Sequence, residues 1–206
     1  MNRRSKSRQW RASQEKDIWI RRARAEGWRS RAVFKLDEID RRLRLLKPGI
    51  TVVDLGAAPG GWSQYAAHRL KGQGRIIALD LLPMDPLPDV EFIQGDFHED
   101  SVLGSLMETL GGATADLVMS DMAPNISGMK VVDQPRSMVL AELARDLVGA
   151  ILAPGGAFLV KLFHGEGFDE YVRDIRLDFG AVSVKKPAAS RSSSRETYLV
   201  ARNYKV

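Results

Sequence analysis

The residues of this 206-residue chain that could do chemistry begin at a glycine-rich turn, Asp54-Leu55-Gly56-Ala57-Ala58-Pro59-Gly60-Gly61-Trp62-Ser63. Small residues let a ligand approach the backbone, and a helix opening there would offer unpaired N–H groups. Gly56 and Gly61 are spaced as in a phosphate loop, but Trp62 stands where that loop needs its lysine, which disfavours triphosphate hydrolysis. Ala58 occupies the second glycine of the dinucleotide pattern G-x-G-x-x-G, so a pyrophosphate also loses its cradle. What remains suits an adenosine cofactor without phosphates, with Asp80 accepting from ribose hydroxyls and Asp96 near the adenine edge. S-adenosylmethionine fits that description. The chain has no cysteine, and His68, His98 and His164 lack metal-ligand spacing, so no metal site is expected.

These residues need elements to position them. After Gly49, short β-branched runs alternate with helical stretches. Seven strands are expected: Thr51 to Leu55, Arg75 to Asp80, Val90 to Asp96, Ala115 to Asp121, Ala157 to Phe163, Ala181 to Lys185 and Glu196 to Asn203. Helices near Trp62 to Leu70, Ser101 to Leu110, Gln134 to Leu152 and Phe168 to Asp178 make successive βαβ units, hence an α/β fold with a largely parallel sheet covered on both faces. The connection before Tyr198, KKPAASRSSSR, has no helical pattern, so the last two strands should form an antiparallel hairpin. Ligands of open α/β sheets bind outside the carboxyl ends of the strands, and there stand Asp54, Asp80, Asp96, Asp121 and Lys161. Upstream, Ala32, Leu36, Ile39, Leu43 and Leu46 recur at helical spacing from Arg31 to Leu46, with Ser30 as N-cap and Lys47-Pro48-Gly49 as stop. Lys35 lies at the border of that buried stripe.

Charge divides the chain in two. Residues 1–49 hold 16 Lys+Arg against 6 Asp+Glu, net +10, while residues 50–206 hold 15 against 20, net −5. The reading is a basic helical extension over 1–49, RNA-contacting, in front of a catalytic domain over 50–206, because concentrated Lys/Arg gains free energy by releasing phosphate counterions. Trp10, Trp19 and Trp28 lie among these charges and read first as anchors of helices onto the body, second as stacking surfaces for bases. The longest uncharged stretch, Leu147 to Val160, is 14 residues and is broken by Pro154, Gly155 and Gly156, against the roughly 18 a membrane span needs. The chain reads as a cytoplasmic monomer with no membrane partner.

The segments SRAVFKLDEID, VVDLGAAPGGWSQ, DLLPMDP, QGDF, SDMAPNISG, VKLFHGEGF and SRSSSRETYLV together resemble the FtsJ-type ribosomal RNA ribose 2′-O-methyltransferases, from about Trp19 to Arg202. The resemblance implies a Rossmann-like class I methyltransferase sheet of order 3-2-1-4-5-7-6 with strand seven antiparallel. It implies a catalytic Lys-Asp-Lys-Glu set, matched by Lys35, Asp121, Lys161 and Glu196. It assigns cofactor binding to Gly60, Trp62, Asp80, Asp96 and Asp121, and S-adenosyl-L-methionine as methyl donor. It points to a uridine in the A loop of large-subunit rRNA, within the ribosomal subunit, as acceptor. In that strand order Asp121, Lys161 and Glu196 lie on neighbouring strands, and antiparallel strand seven begins where its neighbours end, so the three converge.

A ribose hydroxyl is a poor nucleophile until it loses its proton. Lys161 accepts a proton only when neutral, a state that a second ammonium, Lys35, favours and Asp121 opposes. Asp121 therefore reads as orienting the lysine and holding the cofactor, and Glu196 as positioning Lys35 or the ribose. Other readings share features of the sequence: a methyltransferase acting on tRNA or another RNA, an amino-directed methyltransferase, an NAD-dependent oxidoreductase, and a non-catalytic RNA-binding assembly factor. Calorimetry should show S-adenosylmethionine and S-adenosylhomocysteine binding, no NAD binding, and substantial loss of affinity in Asp80→Ala.

Overall fold

The structure, a computed structural model, describes residues 17–125, 127–191 and 194–205. Two helices, α1 (Ile18–Ala25) and α2 (Val33–Leu43), precede β1 (Thr51–Leu55), α3 (Gly61–Leu70), β2 (Arg75–Asp80), β3 (Glu91–Gln94), α4 (Asp100–Leu110) and β4 (Ala115–Ser120). The chain continues through α5 (Lys130–Ile151), β5 (Leu152–Phe163), α6 (Phe168–Asp178), β6 (Phe179–Lys185) and β7 (Glu196–Tyr204). The seven strands form one sheet of order β3-β2-β1-β4-β5-β7-β6. Neighbours from β3 to β5 are parallel, while β7 runs antiparallel to both β5 and β6. The expected order and closing hairpin are both present.

Strand alternation sorts the core into two layers. Val53, Leu55, Ile77, Leu79, Val118, Phe158, Val160 and Leu199 face the cluster shared with α4, α5 and α6. The intervening Val52, Ile76, Leu117, Met119, Leu159, Tyr198 and Val200 face the cluster shared with α1, α2 and α3. The same parity carries Asp121, Lys161 and Glu196 to the second face, the one that α2 covers. The basic front therefore contributes to the core: Ala23, Val33, Phe34, Leu36 and Ile39 are buried in that second cluster. Trp19 tilts against Phe34 at 5.2 Å, and Trp28 lies against Tyr65 and His68. Trp10 lies outside the described residues.

Several boundaries differ from the sequence reading for local reasons. The helix expected from Arg31 to Leu46 runs Val33–Leu43, and its N-cap is Ala32, without a side-chain cap bond. Ser30 is occupied elsewhere, filling the space left by Gly61, whose Cβ would lie 2.3 Å from the Ser30 hydroxyl. The helix stops before Lys47 because Arg44 turns left-handed (φ 51) and buried Asp40 accepts from the Leu46 amide at 2.8 Å. An additional helix, α1, starts at Asp17, whose carboxylate accepts from the Trp19 amide at 3.0 Å. The long helix starts at Lys130 rather than Gln134 and carries Pro135 inside it. β5 starts at Leu152, which pairs with Ala115 ahead of a register shift in the β4–β5 ladder. β6 starts at Phe179, paired with Tyr204. β3 is shorter, ending at Gln94, after which Asp96 turns back to accept from the His98 amide at 3.0 Å.

Asp54 is a carboxyl inside the core, 1% exposed, with the Ser63 hydroxyl donating to it at 2.6 Å. Burial pushes it up from 3.8 to about 7, with Asp121 and Asp80 adding to the rise and Ser63 opposing it. Between pH ~4 and ~7 the folded chain thus holds a proton that the unfolded chain has released, and stability falls as pH rises through that window. Asp54→Asn, which keeps an acceptor for Ser63, should remove a slope of up to about 1.4 kcal/mol per pH unit from denaturant-unfolding data. An identical slope in the variant would count against this account.

Candidate active site

The glycine turn leaves the end of β1 and is shaped by contacts that only glycine tolerates. Gly56 has φ +71, and a Cβ there would lie 2.3 Å from the Met122 side chain; Gly60 has φ +101, and a Cβ would meet Met84 at 2.8 Å and Arg29 at 2.9 Å. Asp80, ending β2, ties this turn to its own following loop: one oxygen accepts from the Ala58 amide at 2.8 Å and the other from the Leu82 amide at 2.7 Å. Each carboxylate oxygen has a second lone pair left for a ligand hydroxyl.

Two cavities open on this edge and share Gly56, Ala58 and Asp121. The smaller, ≈ 210 Å³, is lined by Ser30, Arg31, Ala32, the turn and Trp62. The larger, ≈ 460 Å³, runs past Asp80, Leu81, Leu82, Asp96 and Phe97 to Met122 and Asn125. That volume lies within the range of small-molecule sites. Asp96 accepts from the His98 amide and imidazole, which hold it below the usual carboxylate range. Trp62 is nearly buried; its indole N–H donates to the Ala32 carbonyl at 2.9 Å and its ring tilts against Tyr198 at 5.7 Å. Gly60 is not among the cavity-lining residues and stands on the outer side of the turn, towards Met84 and Arg29.

Behind Asp121, which lines both cavities, the four charges selected from the sequence come together. Lys161 lies 3.0 Å from the Asp121 carboxylate and also donates to the Asp121 carbonyl. β4 ends at Ser120, one residue short of the expected Asp121. Lys35, from α2, lies 2.7 Å from Glu196. Strand pairing sets Lys161 opposite Tyr198 and Phe163 opposite Glu196. All four side chains are largely removed from water, at 6–19% exposure, and their two positive and two negative charges cancel. Burial alone would raise Asp121, but Lys161, then Lys35 and the Tyr198 hydroxyl, bring it below the ordinary carboxylate value. Of the three N–H bonds of the Lys161 ammonium, two are taken by Asp121 among the described residues.

Tyr198 is the member that the sequence reading missed. Its hydroxyl donates towards Asp121 at 2.7 Å and Glu196 at 3.2 Å and accepts from Lys35 at 2.9 Å, bridging the two ion pairs. Burial, then Asp121 and Glu196, raise its pKa well above the ordinary value, so the phenol keeps its proton and serves as a fixed donor. Its signal in the sequence is parity: Glu196, Tyr198 and Val200 share one strand face, and a hydroxyl next to a charge on that face belongs to the same cluster. Ser190 adds a donor to Glu196 at 2.8 Å. Among the described residues no group of His, Cys, Asp and Glu is placed to hold a metal, and no helix is long and apolar enough to cross a membrane.

A parallel sheet extended by an antiparallel β7, with a cleft at the switch between β1 and β4, defines a Rossmann-like methyltransferase fold. The FtsJ-like methyltransferase model matches residues 28–204, and the chain belongs to that family. It is 56% identical over 204 residues to a Legionella pneumophila (strain Lens) protein named ribosomal RNA large subunit methyltransferase E, covering 99% of each chain. A protein of the same name from Alkalilimnicola ehrlichii is 55% identical over 202 residues, covering 98% of this chain and 97% of the relative. Among solved structures, a Plasmodium falciparum protein described as a ribosomal RNA methyltransferase superposes with TM-score 0.79 at 32% identity, covering 86% of this chain and 98% of that one. Human methyltransferase-like protein 13, solved with S-adenosylhomocysteine, shares the fold at TM-score 0.56 and 17% identity, over 84% of this chain and 78% of its own.

Tyr198→Phe removes the bridging hydroxyl and leaves both ion pairs. Hydrogen bonds to charged groups contribute about 1.5–3 kcal/mol, so single-turnover methyl transfer should fall roughly 10- to 100-fold. Cofactor affinity should stay within a few fold. A variant with wild-type turnover would show that the bridge is dispensable.

Proposed function

We propose that this protein transfers a methyl group from S-adenosyl-L-methionine to the 2′-hydroxyl of a ribose in ribosomal RNA, at a uridine in the A loop of the large subunit. It acts in this reading as a cytoplasmic monomer on the large ribosomal subunit. The observation that carries the proposal is the buried Lys35–Glu196 and Lys161–Asp121 pairing, which meets through Asp121 a cleft that Asp80 and Asp96 also line. The cleft suits an adenosine cofactor: Asp80 has acceptor capacity for ribose hydroxyls, Leu81, Leu82 and Phe97 offer apolar surface, and Gly56 and Ala58 leave the backbone open. The names of the Legionella and Alkalilimnicola relatives, ribosomal RNA large subunit methyltransferase E, support rRNA as acceptor, and the net +10 of residues 1–49 suits a phosphodiester chain.

When bound, S-adenosylmethionine supplies an electrophilic methyl on a sulfonium. Lys161, after releasing one proton of its resting ammonium to solvent, takes the proton of the ribose hydroxyl at its neutral Nζ, and Asp121 holds that lysine in place through carboxylate and carbonyl. Lys35, fixed by Glu196 and Tyr198, contributes a positive charge beside the oxygen as it becomes nucleophilic. Exclusion of water from the cluster strengthens these interactions, and alignment of hydroxyl with methyl supplies much of the remaining rate.

The test transfers labelled methyl from S-adenosylmethionine to candidate RNAs and ribosomal particles and identifies the modified nucleoside. A 2′-O-methyluridine in large-subunit rRNA is the expected product; label in tRNA, on a base, or in nothing would replace this reading. Lys161→Ala should lower transfer by orders of magnitude with cofactor affinity within a few fold. Lys161→Arg should not rescue it, because a guanidinium keeps the charge but releases no proton at usable pH. Near-normal turnover in that variant would overturn the base assignment.

A further inference from the structure

Arg29 lies outside both the charge cluster and the cavity linings, yet its guanidinium makes three hydrogen bonds to backbone carbonyls. One terminal nitrogen, Nη1, donates to the Pro59 carbonyl at 3.2 Å and to the Asp85 carbonyl at 2.6 Å; the other, Nη2, donates to the Pro86 carbonyl at 2.7 Å. Pro59 belongs to the glycine turn after β1, and Asp85 and Pro86 belong to the loop after β2. The side chain thus joins the two loops that flank the cleft. Among the described residues Arg29 makes no ion pair, so its charge is directed wholly at carbonyl oxygens. The backbone behind it is fixed too: Gln64 accepts from the Arg29 amide at 2.9 Å and donates to the Gly27 carbonyl at 3.0 Å.

We infer that Arg29 is a positioning residue of the cofactor cradle, an outer clamp that holds the two cleft loops at the separation Asp80 sets from inside; this rests on the reading of the cleft as the S-adenosylmethionine site. Asp80 bridges the amides of Ala58 and Leu82 on the cleft side, and Arg29 bridges the carbonyls of Pro59, Asp85 and Pro86 on the far side. Two ties on opposite sides of a loop pair resist both opening and twisting, whereas either alone leaves a hinge. The planar guanidinium matches this task because its donors diverge in a fixed fork, while a lysine ammonium is a single point on a flexible stem. Gly60 belongs to the same device, since a Cβ there would press on Arg29 Nη1 and on Met84 beneath the clamp. Lys35 sits six residues further along the same segment but has its own anchor, the Trp62 bond to the Ala32 carbonyl. Loss of the clamp therefore acts on cofactor binding and spares the catalytic step.

The experiment measures S-adenosylhomocysteine affinity by calorimetry, methyl-transfer kinetics with cofactor varied, and hydrogen exchange of the 84–90 amides in the cofactor-free protein, for wild type, Arg29→Ala and Arg29→Lys. Arg29→Ala should weaken cofactor binding about tenfold, equivalent to about 1.4 kcal/mol, with a matching rise in KM for cofactor and kcat within a few fold. Exchange at 84–90 should quicken while exchange within β1 stays as in wild type, and Arg29→Lys should restore only part of either property. Unchanged affinity together with unchanged exchange overturns the clamp, as does a loss carried by kcat alone. If wild type binds no S-adenosylhomocysteine, the cofactor reading fails; faster exchange at 84–90 in the variants then still supports the clamp, and unchanged exchange overturns it. If Arg29→Ala does not fold, the same readouts on Arg29→Lys decide: partial loss supports the clamp, and full retention overturns it.

Discussion

Two ammonium groups and two carboxylates can sit together out of water only if each keeps a partner, because an unpaired buried ion costs several kcal/mol. Lys161 with Asp121 and Lys35 with Glu196 meet that condition, and the Tyr198 hydroxyl joins the pairs by donating its one proton to Asp121, with Glu196 the more distant acceptor at 3.2 Å, and accepting from Lys35. The rest of the structure can be understood as what brings these groups within bonding distance. Removing any one would leave a neighbour desolvated without compensation, so the cluster is specific in geometry as well as in charge. That neutral balance also leaves both lysines inside a site otherwise rich in acidic groups, with Asp54, Asp80 and Asp96 nearby along the strand ends.

The assembly depends on two geometric facts. Strand side chains alternate, so Asp121, Lys161, Tyr198 and Glu196 share the sheet face occupied by Leu117, Met119, Leu159 and Val200. Because β7 runs antiparallel to β5, Glu196 at its start meets Phe163 near the end of β5, and Tyr198 faces Lys161. With a parallel β7 the glutamate would lie at the opposite edge of the sheet. Helix α2 then covers the same face and delivers Lys35 from a segment 86 or more residues away in sequence. Its position is secured by a buried apolar stripe that includes Val33, Leu36 and Ile39, and by the Trp62 bond to Ala32.

The cleft beside the cluster follows a different logic. There the backbone comes close to the ligand space, and the relevant groups are amides and carbonyls in loops. Gly56 and Gly60 permit the turn, Asp80 gathers amides, and Arg29 gathers carbonyls. The basic front segment is thereby built into the fold as well as charged: Arg29 meets the cleft loops, Trp28 packs on α3, and Lys35 enters the charge cluster. In the proposed reaction, one short stretch of chain would link the acceptor-binding side to the cofactor side.

The sequence by itself determined the features that repeat or that depend on near neighbours. Alternating β-branched runs between helical stretches specified a parallel α/β sheet, the missing helix before Tyr198 specified the final hairpin, and the turn from Gly56 to Trp62 lacked the lysine and glycine that a phosphate loop and a dinucleotide cradle need. Asp80, Asp96, Asp121 and Lys161 were legible as residues at or just beyond the carboxyl edge because that edge of such a sheet is a fixed place. The tertiary structure decided everything that rests on contacts between distant segments. Tyr198 reads locally as an apolar strand residue, and only Asp121 across 77 positions and Lys35 across 163 make its hydroxyl a bridge. Ser30 reads as a helix cap until Gly61 takes its side chain as a packing partner. Arg29 reads as one more positive charge in a basic run, yet it bonds three carbonyls up to 57 residues away. Local patterns record the period and stiffness of the backbone, whereas a side chain's partner is set by which surfaces the finished sheet and its helices press together.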